Sequence, residues 1–174
     1  MKRGKFKKAV IHFEKSLVAS KVLRGAKGEL IAELYLNLGI AHDSTRNFTK
    51  AITCFDSCIE MNQLASTKAI LCKGIALSKI GLFDEALNSL SIAIERATDQ
   101  KVQADAHVAR GHIFDMMNDS GMALECYSSA LLIYRTQSDS EELVSSTCQD
   151  IASTHMRENR FNSAQTFAQE AFEM

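Results

Sequence analysis

Arg46-Asn-Phe48-Thr-Lys-Ala51-Ile-Thr-Cys-Phe55 decides how this chain is read, because its pattern is written five times. Gly4-Lys-Phe6-Lys-Lys-Ala9-Val-Ile-His-Phe13 and Gly81-Leu-Phe83-Asp-Glu-Ala86-Leu-Asn-Ser-Leu90 repeat it closely. Asn118-Asp-Ser120-Gly-Met-Ala123-Leu-Glu-Cys-Tyr127 and Asn159-Arg-Phe161-Asn-Ser-Ala164-Gln-Thr-Phe-Ala168 repeat it more loosely. Each copy opens on a turn-former, carries an aromatic two residues on (Ser120 excepted) and then an alanine. Four residues later comes a bulky side chain, except at Ala168. The alanines stand 42, 35, 37 and 41 residues apart. Twelve residues before three of them is a glycine, Gly39, Gly74 or Gly111, and the fourth equivalent is Ala152.

Working outward from the quoted copy, apolar residues recur at three and four, the spacing of one helical face. Leu34, Tyr35, Leu38 and His42 share a stripe on a first helix, and Phe48, Ala51, Ile52, Phe55 and Ile59 share one on a second. Gly39 and Ala51 let the two axes approach, and Phe48 and Phe55 fill the space beside them. One such hairpin cannot bury its face alone, so successive hairpins must stack. The 174 residues contain no proline, which is permissive for an almost wholly helical chain.

The array resembles the tetratricopeptide repeat family, whose units show an aromatic, Leu-Gly, an aromatic, Ala and an aromatic in this order. Tyr35, Leu38-Gly39, His42, Ala51 and Phe55 follow it in the first full unit. Ile70, Gly74, Leu77, Gly81, Phe83, Ala86, Leu90 and Ala93 follow it in the second. His107, Gly111, Phe114, Ala123, Tyr127 and Ala130 follow it in the third. The fourth keeps Phe161, Ala164 and Ala171 but has lost the glycine and carries Cys148 where an aromatic is usual. The late proline of the family is missing throughout, and the spacing exceeds the 34-residue period, as in long-helix variants of the family. The resemblance implies an all-α fold, an α-solenoid of helix–turn–helix repeats. The expected divisions are 1–24 (a second helix only), 29–63, 67–98, 102–136 and a degenerate 140–174. In this register Gly4 is a turn, and the helix from Lys5 to Ser20 lacks its partner. Its stripe of Phe6, Ala9, Val10, Phe13 and Leu17 is then partly exposed. Beyond Ala171-Phe172 no polar capping helix follows, so the chain is expected to be part of a longer array or to pair its open ends.

Composition narrows the functional classes. Hydrophobic residues make up 46% and charged residues 24%, and no apolar run reaches the ~18–20 residues of a membrane span. The basic start is broken by Lys7, Lys8 and His12 and does not read as a signal peptide, so the chain reads as intracellular, cytoplasmic. Five cysteines form no paired framework. Cys54 and Cys58 share a helical face with His42 nearby, a pattern open to zinc, but they occupy packing slots and read as core. His107 and His112 diverge by roughly 140° on a helix and are poor joint ligands. Cys72 with either histidine lacks any local nucleophile motif. There is no glycine-rich phosphate loop, and the eight glycines are scattered. Residues 1–24 hold eight Lys/Arg against Glu14 alone, while the rest holds 12 basic and 20 acidic residues. This basic start is the one stretch where cations and an aromatic interleave, and Phe6 already has a packing role, so nucleic acid is not an expected ligand. No enzyme activity, cofactor or metal is expected.

In the family the first helices of successive repeats receive the ligand. Carried onto this sequence, that face is Glu33, Leu36, Asn37, Ile40 and Asp43, then Lys68, Leu71, Cys72, Ile75 and Lys79. Next come Asp105, Val108, Ala109, His112 and Asp115, and finally Gln149, Asp150 and Ser153. Leu36, Ile40, Leu71, Ile75 and Val108 make an apolar floor suited to a helix or an extended segment with apolar anchors. Asn37 can both donate to and accept from a peptide backbone. Co-chaperone members hold chaperone C-terminal carboxylates with Lys and Asn, then Lys and Arg two repeats later. Here those places are Leu36 and Ile40, then Asp105 and Ala109, so that clamp is absent. The expected function is an adaptor or scaffold module that binds a protein or peptide partner. The alternatives are a self-association module forming a homo-oligomer and a regulatory domain of a larger enzyme.

Overall fold

The computed structural model of the chain describes residues 2–22, 28–61, 66–138 and 140–173. The expected repeat limits at residues 1, 24, 63 and 174 lie outside them. All regular structure among the described residues is helical: α1 (Lys2–Val22), α2 (Gly28–Ser44), α3 (Phe48–Met61), α4 (Thr67–Lys79), α5 (Phe83–Arg96), α6 (Gln100–Met116), α7 (Ser120–Tyr134), α8 (Glu141–Arg157) and α9 (Phe161–Glu173). The chain forms two compact units, Met1–Ile92 and Ala93–Met174. In the first, α1 packs on α2, α2 on α3 and α3 on α4. In the second, α6 packs on α7, α7 on α8 and α8 on α9.

In four of the five sequence copies, the turn-former that opens the copy ends the preceding helix in left-handed backbone. Arg46 has φ 65°, Gly81 82°, and Asn118 and Asn159 59° each. Two backbone bonds close every one of these turns. The Arg46 N–H donates to Asp43 O at 2.8 Å and the Asn47 N–H to His42 O at 2.8 Å. The same pair recurs as Gly81 to Ser78 and Leu82 to Leu77, as Asn118 to Asp115 and Asp119 to Phe114, and as Asn159 to Met156 and Arg160 to His155. This is the Schellman arrangement, which satisfies carbonyls that a helix end leaves free. The next helix starts at once: Asn47, Leu82, Asp119 and Arg160 accept the first helical bond from Ala51, Ala86, Ala123 and Ala164. Asp119 also caps α7, its carboxylate accepting from the Met122 N–H at 3.0 Å.

At Gly4 the expectation fails. α1 runs unbroken through it from Lys2, and the turn placed there by the repeat register does not form. A glycine inside a helix costs about 1 kcal/mol, which a 21-residue helix carries. The stripe expected on this helix is placed as anticipated, with Ala9, Val10, Phe13 and Leu17 half-buried and Phe6 exposed.

The recurring spacing of sixteen residues within three of the hairpins is a notch and a knob. A Cβ on Gly39 would lie 2.5 Å from the Phe55 ring, and one on Gly111 2.4 Å from the Tyr127 ring. Gly74 faces Leu90 in the same way, at 2.8 Å. The bulky side chain of the second helix therefore lies directly on the backbone of the first, and Phe55, Leu90 and Tyr127 are all buried. Ala51, Ala86 and Ala123, near the start of each second helix, are fully buried as well. In the fourth hairpin both members change together, to Ala152 and Ala168. There the notch is filled by a methyl group and the knob is missing.

Candidate functional site

In the first unit the ligand-facing row expected on α2 and α4 is only partly available. Glu33 and Lys68 are exposed, and Asn37 is half-buried. Leu36 and Ile40 are half-buried and pack from above on the Ala51–Phe55–Ala76 cluster, and Ile75 is half-buried. Leu71 is 5% exposed. It belongs to the core, because Ala69, Ile70, Leu71, Gly74, Ala76 and Leu77 are all buried and α4 presents little free surface. The expected apolar floor therefore shrinks to Leu36, Ile40 and Ile75 in this unit. Asp43 and Lys79 close one end of the row with a two-pronged ion pair at 2.7 and 2.8 Å, joining α2 to α4. The Lys79 ammonium also lies 5.5 Å from the centre of the Phe48 ring.

In the second unit the row is polar, and its side chains are held from beneath. Tyr127 passes over Gly111 and delivers its hydroxyl 2.9 Å from His112 Nδ1 and 3.0 Å from Asp115 Oδ2. With one proton to give, the hydroxyl donates to the carboxylate and accepts from Nδ1–H. The other ring nitrogen of His112 is then turned to Asp150 of α8, 3.6 Å away. Asp115 also accepts from Thr154 at 3.1 Å and forms an ion pair with Arg157, both on α8. One turn or more toward the start of α6, the Tyr134 hydroxyl donates to Asp105. Burial, then the neighbouring carboxylates, push both tyrosines above their ordinary range, so each stays a donor. Burial also raises Asp150, with His112 opposing and Asp115 adding to the shift. Val108 is half-buried against the core of this unit, and His112, Gln149 and Ser153 are exposed.

Helical spacing brings Asp105, His112, Asp115 and Asp150 to this face, but it does not reveal the tyrosines, Thr154 or Arg157 that organise them. The signal was present: the knob position holds Phe55 and Leu90 in two hairpins but Tyr127 in the third, and a buried hydroxyl must find a partner. The thiols are packing groups. Burial raises Cys54, Cys58 and Cys126, and it carries Cys148 up to about 11. Among the described residues no three His, Cys, Asp or Glu side chains gather so as to hold a metal ion, and no helix is long and apolar enough to cross a membrane.

Comparison with known proteins adds to this geometry. The profile of the tetratricopeptide repeat family matches residues 1–63. This stretch resembles a tetratricopeptide repeat. Solved structures share the fold of 99% of the chain. BtubC (BKLC) from P. vanneervenii matches with a TM-score of 0.85 at 16% identity, over 74% of that chain. MamA matches at 0.72 and 22%, over 90% of its chain. MamA 41-end from Desulfovibrio magneticus RS-1 matches at 0.70 and 21%, over 94%. At such identities the likeness is one of fold, and the fold class is the expected all-α tetratricopeptide-like repeat. No curated protein sequence matches the chain.

Proposed function

We infer that the chain is a protein-interaction module that takes a segment of a partner protein on its first-helix face. The observation that carries this reading is the pinned row on α6, where Tyr127 and Tyr134 hold Asp115 and Asp105 from below. Side chains fixed before binding lose little entropy when a ligand arrives. In the first unit, half-buried Leu36, Ile40 and Ile75 offer shallow apolar contacts beside Asn37, whose amide suits an extended backbone. The tetratricopeptide match over residues 1–63 supports the same reading.

A peptide display library panned against the chain tests this. Enriched peptides are expected to bind wild type and to lose tenfold or more in affinity to Ile75→Glu and to Asn37→Ala. Thr53→Glu, on an exposed position of α3, should leave binding unchanged. Equal affinity for all four proteins would refute the assignment of the face.

A further inference from the structure

The fourth hairpin carries a docking groove that its own sequence leaves unfilled. In three hairpins a bulky side chain lies on a bare glycine, Phe55 on Gly39, Leu90 on Gly74 and Tyr127 on Gly111. Where that pair is Ala168 and Ala152, a groove of about 540 Å³ runs between α8 and α9. Alanines 152, 164 and 168 form its floor, and Met156, Phe161 and Phe172 its walls. Phe172 is 91% exposed, and Met156 and Phe161 are exposed as well. The three filled hairpins show what belongs in such a place: one or more large apolar side chains presented by a helix.

The chain also carries a surface of matching kind. On α1, Ile11 and Val18 are 51% and 65% exposed. They stand two helical turns apart and so share one face. Lys7, Lys8 and Lys15 flank them, all exposed. By sequence, residues 2–22 hold seven Lys/Arg and one acid, whereas residues 141–173 hold six acids and two arginines. We propose that the α8–α9 groove receives the Ile11–Val18 face of α1 from a second copy of this chain, head to tail. Apolar knobs fill the groove and the opposite charges of the two segments steer them together. The two surfaces are different, so the contact is heterologous and each bound copy leaves one free groove and one free α1.

Sedimentation velocity on the full chain tests the pairing. Wild type is expected to grow past a dimer as concentration rises, and to do so less at high salt, where the charge steering is screened. Ala168→Glu blocks the groove and Val18→Glu blocks the helix face, both at exposed positions that should leave helicity unchanged. Each variant alone should be monomeric, and an equimolar mixture should stop at a dimer, because one intact groove then meets one intact helix. Phe172→Glu repeats the groove arm at a second position. The proposal fails if wild type stays monomeric at all concentrations, which would leave the groove to another segment or partner. It fails equally if Val18→Glu alone still dimerises and the mixture gains nothing, the mark of a groove-to-groove contact.

Discussion

At Gly111 the whole hairpin depends on a missing methyl group. Its Cβ would stand 2.4 Å from the buried Tyr127 ring, a rigid group with core on its other side. Overpacking of this kind costs about 1–3 kcal/mol, and the better helix propensity of alanine returns at most about 1 kcal/mol. Gly111→Ala is therefore expected to lower stability by about 1–2 kcal/mol, a loss of several degrees in a thermal melt at this chain length. An unchanged or raised melting temperature would mean that the ring has room to retreat. The same displacement would pull the Tyr127 hydroxyl from Asp115 and His112, so this residue links packing to the polar row on α6.

Each helix pair owes its register to a left-handed residue at the end of its first helix. Gly81 adopts that backbone without cost, and asparagine at 118 and 159 tolerates it. Arg46 has the same φ with a full side chain, a conformation that costs a non-glycine residue on the order of 1 kcal/mol. Arg46→Gly should stabilise the chain by about 0.5–1 kcal/mol, the strain relieved being partly offset by the freer unfolded chain. Chemical denaturation should show a higher midpoint with an unchanged slope. A lower midpoint would show that the Arg46 side chain does something in the folded state that its exposed position does not suggest. The repeat pattern placed this turn correctly but marked Arg46 only by its neighbours, because arginine has no preference for left-handed backbone. At Gly4 the same pattern misled, because the helix continues through that glycine.

For the molecule as a whole, acid should be destabilising in both units. His42 in the first and His107 in the second lie below the ordinary histidine range, chiefly through burial, with Lys50 and Arg110 adding to the effect. The unfolded chain takes up protons at these sites near pH 6.5, while the folded chain stays neutral to lower pH. The unfolded state thus binds more protons in that window, and stability is present above about pH 6.5 and lost as pH falls below it. Melting temperature should drop between pH 7.5 and 5.5, and His42→Gln with His107→Gln should flatten the drop. A slope that survives both changes would place the proton uptake elsewhere. Asp150, raised by burial, acts oppositely at lower pH, since the folded state then binds the proton first.

The sequence alone determined the helical pairs from α2 to α9 and the turns within them, because these follow from spacing within some forty residues. It also located the fourth hairpin as the odd one, through Ala152 and Ala168. Only the tertiary structure decided that Leu71 is core rather than ligand surface, because burial there depends on how much of α4 its neighbours cover. The tyrosine-held row on α6 was decided at the same level: Asp115, Thr154 and Arg157 lie on two helices some forty residues apart. Spacing along one helix reports which face a side chain joins, but what stands opposite that face is set by packing between helices.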